Sequence, residues 1–274
     1  MRSKAVAWLA TAWWLIAASA HADEVMQRAR ERGLFVVAAA PTGDHMPKAA
    51  KDASDAYSGF DVDVANEIGK RLGLPVKFVS PGWNEVLNSN WGGQWDFAVA
   101  SITPTKAREE KLVFPAVYRL DAAALVVRND NTSIQRPADA SGKTIGVRGG
   151  TTFENYLRRN LVLYNNPTAV TYLIEDPQIR VFPDRQQVIR ALTEGKVAAI
   201  VTSLGLAEDD IAKGAPLRMV RGFLFFEPVA VAVHKGDPEF ATKIGDTVRA
   251  MRADGTLTKL SEKWFGIDVA GIVP

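Results

Sequence analysis

Apolar residues recur along this chain in short continuous runs, separated by stretches in which they return at helical spacing. The runs are Leu34 to Ala40, Pro75 to Ser80, Phe97 to Ala100, Ala122 to Val127, Thr144 to Val147, Val181-Phe182, Ala198 to Val201 and Val229 to Val233. Their length and β-branched content predict buried strands. Val64, Ala65, Ile68 and Leu72 form one stripe and predict a helix over about 61–72, with Gly73 as its left-handed end. Asp184 caps a second amphipathic helix carrying Val188 and Leu192, closed by Gly195. Asp237-Pro238 opens a third, with Ala241, Ile244, Val248 and Met251 on one face. Leu257, Leu260 and Trp264 mark a last one. Strands alternating with helices predict an α/β architecture with largely parallel sheets. Asp96 reads as the turn into the Phe97 strand, and Trp91 and Trp95, around Gly92-Gly93, read as packing residues.

Composition narrows the class. The 274 residues are 47% hydrophobic, enough for one large domain or for two lobes with separate cores. A formal charge of +2 argues against nucleic-acid binding driven by charge. Residues 1–22 have the form of a signal peptide: Arg2 and Lys4, an apolar stretch from Ala5 to Ala18, then Ala20-His21-Ala22 before the cleavage point. The stretch is short for a transmembrane anchor, which needs about 20 apolar residues. Cleavage after Ala22 takes Lys+Arg from 33 to 31 and leaves Asp+Glu at 31, so the mature chain is formally neutral. There is no cysteine, hence no disulfide scaffold and no lipid attachment at the cleavage site. A soluble protein of a Gram-negative periplasm is the expectation.

Candidate chemistry concentrates after the Phe97 strand, in Ser101-Ile102-Thr103-Pro104-Thr105-Lys106-Ala107-Arg108. A strand end, two hydroxyls and an arginine fork suit a carboxylate. Spacing alone does not separate this from a capped helix with a solvated arginine. Gly150-Thr151-Thr152, at a helix start, is either an anion-friendly terminus or only a cap. Trp83 is either a ligand-stacking ring or a rim tryptophan, and Arg148 projects into a cleft or lies on the surface. His45 sits in a loop after the first strand, where an exposed histidine needs no special role. The mature histidines, His45 and His234, are far apart, no Gly-x-Ser-x-Gly elbow or phosphate loop occurs, and the carboxylates are scattered. No metal site and no cofactor are expected.

With Gly59-Phe60-Asp61-Val62-Asp63-Val64-Ala65, Gly142-Lys143-Thr144-Ile145-Gly146-Val147, Gly150-Thr151-Thr152 and Met251-Arg252-Ala253-Asp254-Gly255-Thr256 in the same order, the Ser-x-Thr and Arg108 resemble the carboxylate clamp of the polar amino-acid family (family 3) of bacterial solute-binding proteins. The resemblance runs from about Gly33 to Gly271. It implies a two-lobed periplasmic binding protein fold, each lobe a mostly parallel sheet flanked by helices, joined by a two-segment hinge. Lobe 1 would comprise residues 23–122 and 228–274, and lobe 2 residues 123–227. It implies a monomeric receptor that closes on an amino acid or related small carboxylate and docks on the permease subunits of an ABC importer. Arg108, Ser101 and Thr103 would grip the carboxylate. Gly150, Thr151 and Thr152 would close over it, and Trp83 and His45 would face the ligand. Ser203 stands where such proteins usually carry an acid for the ligand's ammonium, and Ala40 where a second acid is common. That departure puts a standard α-amino acid in doubt and leaves open a carboxylate ligand without an obligatory ammonium. Asp209 and Asp210, near Ser203 in sequence, either compensate for an acid missing there or form only a solvated face. A cyclohexadienyl dehydratase-like enzyme is the alternative, disfavoured because no carboxylate falls at Ser203. An accessory binding protein without a transporter is another.

Overall fold

The computed structural model describes residues 23–39, 57–88, 90–164 and 170–271. The expectations for residues 1–22, Ala40 and His45 lie outside the described residues. Eight strands form one sheet in the order β2-β1-β3-β8-β4-β7-β5-β6. They are β1 (Phe35–Ala38), β2 (Val76–Val79), β3 (Phe97–Ile102), β4 (Leu112–Arg128), β5 (Thr144–Arg148), β6 (Gln178–Phe182), β7 (Ala199–Ser203) and β8 (Leu217–His234). At one end β1 pairs in parallel with β2 and β3. At the other, β5 pairs in parallel with β6 and β7. The two parallel arrays are the expected ones.

What joins them differs from expectation. The predicted short runs Ala122 to Val127 and Val229 to Val233 are parts of two long antiparallel strands, β4 of 17 residues and β8 of 18, paired from Leu112↔His234 to Arg128↔Leu217. Pro115 lies inside β4. It is tolerated because the register shifts between Val113 and Ala116, at the kind of irregularity where a strand proline fits.

Each end of the sheet has its own cores. β1 is buried on both faces, as its unbroken apolar run requires. Phe35 and Val37 join Phe97, Val99, Val64, Ile68, Ile244 and Val248, while Val36 and Ala38 join Trp91, Trp95, Ala98 and Ala100. At the far end Leu125, Ile145, Val147 and Tyr156 pack on one face, and Val126, Val188, Leu192 and Ile200 on the other. Both tryptophans of the Gly92-Gly93 segment are buried, as expected. Between the two core pairs run Arg119 to Asp121 of β4 and Phe226 to Pro228 of β8, at the place where the fold of two lobes would have its hinge.

The predicted helices appear as α2 (Phe60–Arg71), α6 (Arg185–Thr193), α8 (Pro238–Ala253) and α9 (Thr256–Phe265), with α1 (Glu24–Arg32) ahead of β1. Asp184 and Asp237 cap α6 and α8 through their carboxylates. Gly69 sits inside α2 because the helix lies against β2: a Cβ there would come within 2.5 Å of a Val76 methyl and 2.8 Å of the Leu74 carbonyl.

Asp96 does more than mark a turn. Its side chain is fully enclosed, accepts from the Val36 amide at 2.8 Å, and is ion-paired with Arg32 and with Arg28 at 3.4 Å. It thereby fastens α1 and β1 to the head of β3. Asp96→Ala leaves the buried Val36 amide without a partner and is expected to cost about 2 kcal/mol. The arginines are partly exposed, so their charges add little. Urea unfolding at neutral pH measures the loss.

Candidate functional site

The strand ends of both arrays and the two hinge strands enclose a cavity of about 90 Å³. Its lining includes Trp83, Ser101, Thr103 and Arg108 from one end of the sheet, Arg148, Thr151, Thr152, Arg185 and Ser203 from the other, and Asp121 and Glu227 from the hinge. Eight of the nine residues singled out from the sequence lie within the described chain. Seven of them line the cavity and the eighth, Gly150, meets Trp83 and Arg108 across it.

Arg108 is set by local structure. Thr105 caps the four-residue helix α4 (Lys106–Glu109), its hydroxyl accepting from the Arg108 amide at 3.2 Å. The Arg108 guanidinium donates to the Thr103 carbonyl at 2.8 Å and to the Gly150 carbonyl at 3.0 Å, and lies 5.5 Å from the centre of the Trp83 ring. It is 8% exposed. Burial pushes its pKa down to about 10, against the pull of Glu227. It remains a cation at neutral pH, engaged by neutral carbonyls rather than, among the described residues, by a protein carboxylate in contact. Two carbonyls leave part of its five-donor fork for another acceptor.

Ser101 is placed differently from the expectation. It sits at φ 50° in the left-handed region, where the β3–β8 register shifts. Its hydroxyl donates to Asp61 at 2.7 Å and accepts from Arg119 at 2.9 Å, while Tyr118 also donates to Asp61. The Ser101 hydroxyl is therefore committed to this network. Such strain in a non-glycine residue gathers at functional sites. Trp83 opens α3 (Trp83–Val86), and its indole donates to the Gly150 carbonyl at 3.2 Å. Arg148 approaches the same ring at 5.2 Å, so it is the cleft alternative that holds for this residue.

On the opposite wall, the hydroxyl of Thr151 donates to the Arg148 carbonyl at 2.8 Å and accepts from the Glu154 amide at 3.3 Å, capping α5 (Thr152–Leu157). The Gly150 amide donates to the Glu154 carboxylate. These groups are engaged within the protein, so this jaw offers a ligand less hydrogen bonding than its glycines and hydroxyls suggested. Ser203 accepts from the Leu206 amide and caps α7 (Leu204–Ala212). Asp210 is ion-paired with Arg185 and Asp209 with Lys213, so neither supplies the acid that Ser203 lacks.

The acids are in the hinge, where sequence reasoning missed them. Asp121 and Glu227 are register partners on β4 and β8. The carboxylates are thus not scattered: the register brings two of them together. Asp121 is bound by Arg119 at 3.1 Å. Glu227 is 4% exposed and its Oε2 has no hydrogen-bond partner among the described residues. Burial, and next Asp121, push the Glu227 carboxyl up to about 7, with the Thr152 and Thr103 hydroxyls and Arg108 pulling the other way. Those hydroxyls face the carboxyl without satisfying Oε2. The signal was present: Glu227 is a lone charge within the apolar run from Phe225 to Val233.

The chain matches the family model for bacterial extracellular solute-binding proteins, family 3, over residues 37–267. It belongs to that family. Among individual relatives, the L-cystine-binding protein TcyJ of Escherichia coli K12 is 28% identical over 251 residues, covering 90% of this chain and 89% of the relative. Among solved structures, an ancestral arginine-binding protein bound to arginine matches with a TM-score of 0.69 at 29% identity, covering 86% of this chain and 99% of the other. The ancestral amino acid-binding protein AncCDT-1, described as a precursor of cyclohexadienyl dehydratase, matches with a TM-score of 0.71 at 28% identity, covering 88% of this chain and 98% of the other. Among the described residues, no helix is long and apolar enough to cross a membrane.

Proposed function

We propose that this protein is an exported periplasmic receptor for an ABC importer, binding a compact carboxylate-bearing solute of the amino-acid class between two lobes. Lobe 1 is residues 23–122 with 228–274, lobe 2 is residues 123–227, and β4 and β8 are the hinge between them. The observation that carries the reading is the buried Arg108 cation on the cavity wall, held by two carbonyls and bordered by groups from both lobes. Desolvation makes such a cation a strong partner for an incoming carboxylate. Closure of the lobes then removes the pair from water. The closed form docks, as a monomer, on the permease. The cavity is below the roughly 300–1,000 Å³ of drug-sized sites, which favours a small ligand.

Thermal-shift screening of amino acids and small carboxylates tests this. A ligand at one hundred times its dissociation constant is expected to add about 2.7 kcal/mol of stability. No shift from any of them overturns the reading. A second reading rests on Glu227, a buried acid with a pKa near neutrality, as general acid-base catalysis requires. Turnover of prephenate or arogenate would make the protein an enzyme of the cyclohexadienyl dehydratase kind instead.

A further inference from the structure

We propose that the ligand is a zwitterion whose ammonium is held from the hinge, by Glu227 with Asp121 behind it, rather than from the strand end occupied by Ser203. The proposal rests on the receptor reading above and specifies the ligand class of the same cavity.

Three observations carry it. Directly paired residues of antiparallel strands present their side chains on one face. Asp121 and Glu227 are such a pair, and both line the cavity. Like charges in that relation are unfavourable unless a cation or a proton intervenes. The two acids are also unequally served. Asp121 has Arg119 at 3.1 Å, whereas Glu227 has a buried oxygen with no hydrogen-bond partner among the described residues. Finally, Arg108 acts on Glu227 electrostatically from the same cavity, so a carboxylate on the arginine and an ammonium at the glutamate fit one short molecule. The charge that Ser203 cannot supply reaches the ligand from below instead of from the side.

Among the described residues, the charged groups that line the cavity with Glu227 are Asp121 from β4, Arg108 from α4, Arg148 from β5 and Arg185 from α6. Arg185 is tied to Asp210, and Arg119 to Asp121. In the empty site a proton resolves the conflict. In the filled site the ammonium does, and the Glu227 proton passes to solvent as the ligand enters. Affinity for an amino acid therefore rises with pH up to about 7 and levels off above it. A carboxylate lacking the ammonium gains nothing from that ionisation.

The experiment is calorimetry on the full mature protein and its Glu227→Gln variant at pH 6 and pH 8. The probes are matched pairs that differ by the amino group: L-alanine with propionate, L-glutamate with glutarate, and the remaining L-amino acids, with L-cystine, for coverage. Expected are amino-acid binding by the wild type, protons released on binding at pH 6, and a loss of about 10- to 100-fold in Glu227→Gln at pH 8. Any measurable binding of the deaminated partner stays within about threefold between the two proteins. Glu227→Asp, which keeps the charge, recovers part of the amino-acid affinity. Equal effects of Glu227→Gln on a probe and its deaminated partner overturn the hinge assignment and leave the receptor reading standing. So does amino-acid affinity unchanged by the substitution. Absence of binding by the wild type to every probe overturns the receptor reading, and this proposal with it.

Discussion

Arg108→Ala is expected to weaken ligand binding by about two to three orders of magnitude while the protein remains folded. A bidentate guanidinium–carboxylate contact contains two charge-assisted hydrogen bonds, each worth about 1.5–3 kcal/mol net. Truncating one partner of a buried charged pair typically costs 2–5 kcal/mol. Stability should change far less. In the empty protein Arg108 is a desolvated cation, its pKa pulled down by burial, whose two visible hydrogen bonds go to backbone carbonyls. Removing it relieves that desolvation as well as losing those bonds. Arg108→Lys keeps the charge but not the planar fork, and is expected to recover only part of the affinity. Titration calorimetry with the best amino acid from the screen, beside urea unfolding of the empty protein, separates the two effects. A large drop in stability with affinity intact would recast Arg108 as a strut between the lobes.

Most of the fold was legible because its signals are local. β1 and β3 are continuous apolar runs because both faces of each strand are buried. The stripe of α2 follows from one helix face lying on that sheet. Arg108 was legible for the same reason: the strand end, the Thr105 cap and the arginine are neighbours in sequence. What could not be read depends on register between distant segments. The pairing of Asp121 with Glu227 is set by the alignment of β4 on β8 over nearly their whole length, including four shifts. No pattern within either segment encodes those shifts. The role of the Ser101 hydroxyl was hidden likewise, because its partners Asp61 and Arg119 come from α2 and β4. Asp96 looked like turn chemistry, since short polar residues before strands often are. Its enclosure beneath α1 is a tertiary fact.

The ligand-free protein is expected to lose stability as pH rises from about 4.5 to about 7, and Glu227→Gln to abolish most of that loss. In the folded state the Glu227 carboxyl has its pKa raised from 4.5 to about 7, first by burial and then by Asp121. Below 4.5 both folded and unfolded chains hold this proton, and it does not favour either. Between the two values the unfolded chain has released it while the folded one keeps it, so each step up in pH favours unfolding. Above about 7 both are ionised and the penalty is complete, at about 3 kcal/mol for a shift of this size. Glutamine keeps the shape and cannot ionise. The variant should therefore match the wild type near pH 4 and exceed it by up to about 3 kcal/mol at pH 8. Taking the difference between the two proteins cancels groups that titrate in both, such as the raised Asp210 and the lowered Asp254 carboxyls. Urea midpoints across pH 4 to 8 measure it, and a wild-type-minus-variant difference that stays flat would mean the Glu227 carboxyl is not enclosed as described. Saturating amino acid supplies the missing cation and should flatten the wild-type curve between about pH 4.5 and 7, whereas in Glu227→Gln the same amino acid should add less. One buried carboxyl then accounts for both effects, an acid that destabilises the empty cleft at neutral pH and rewards the ligand that fills it.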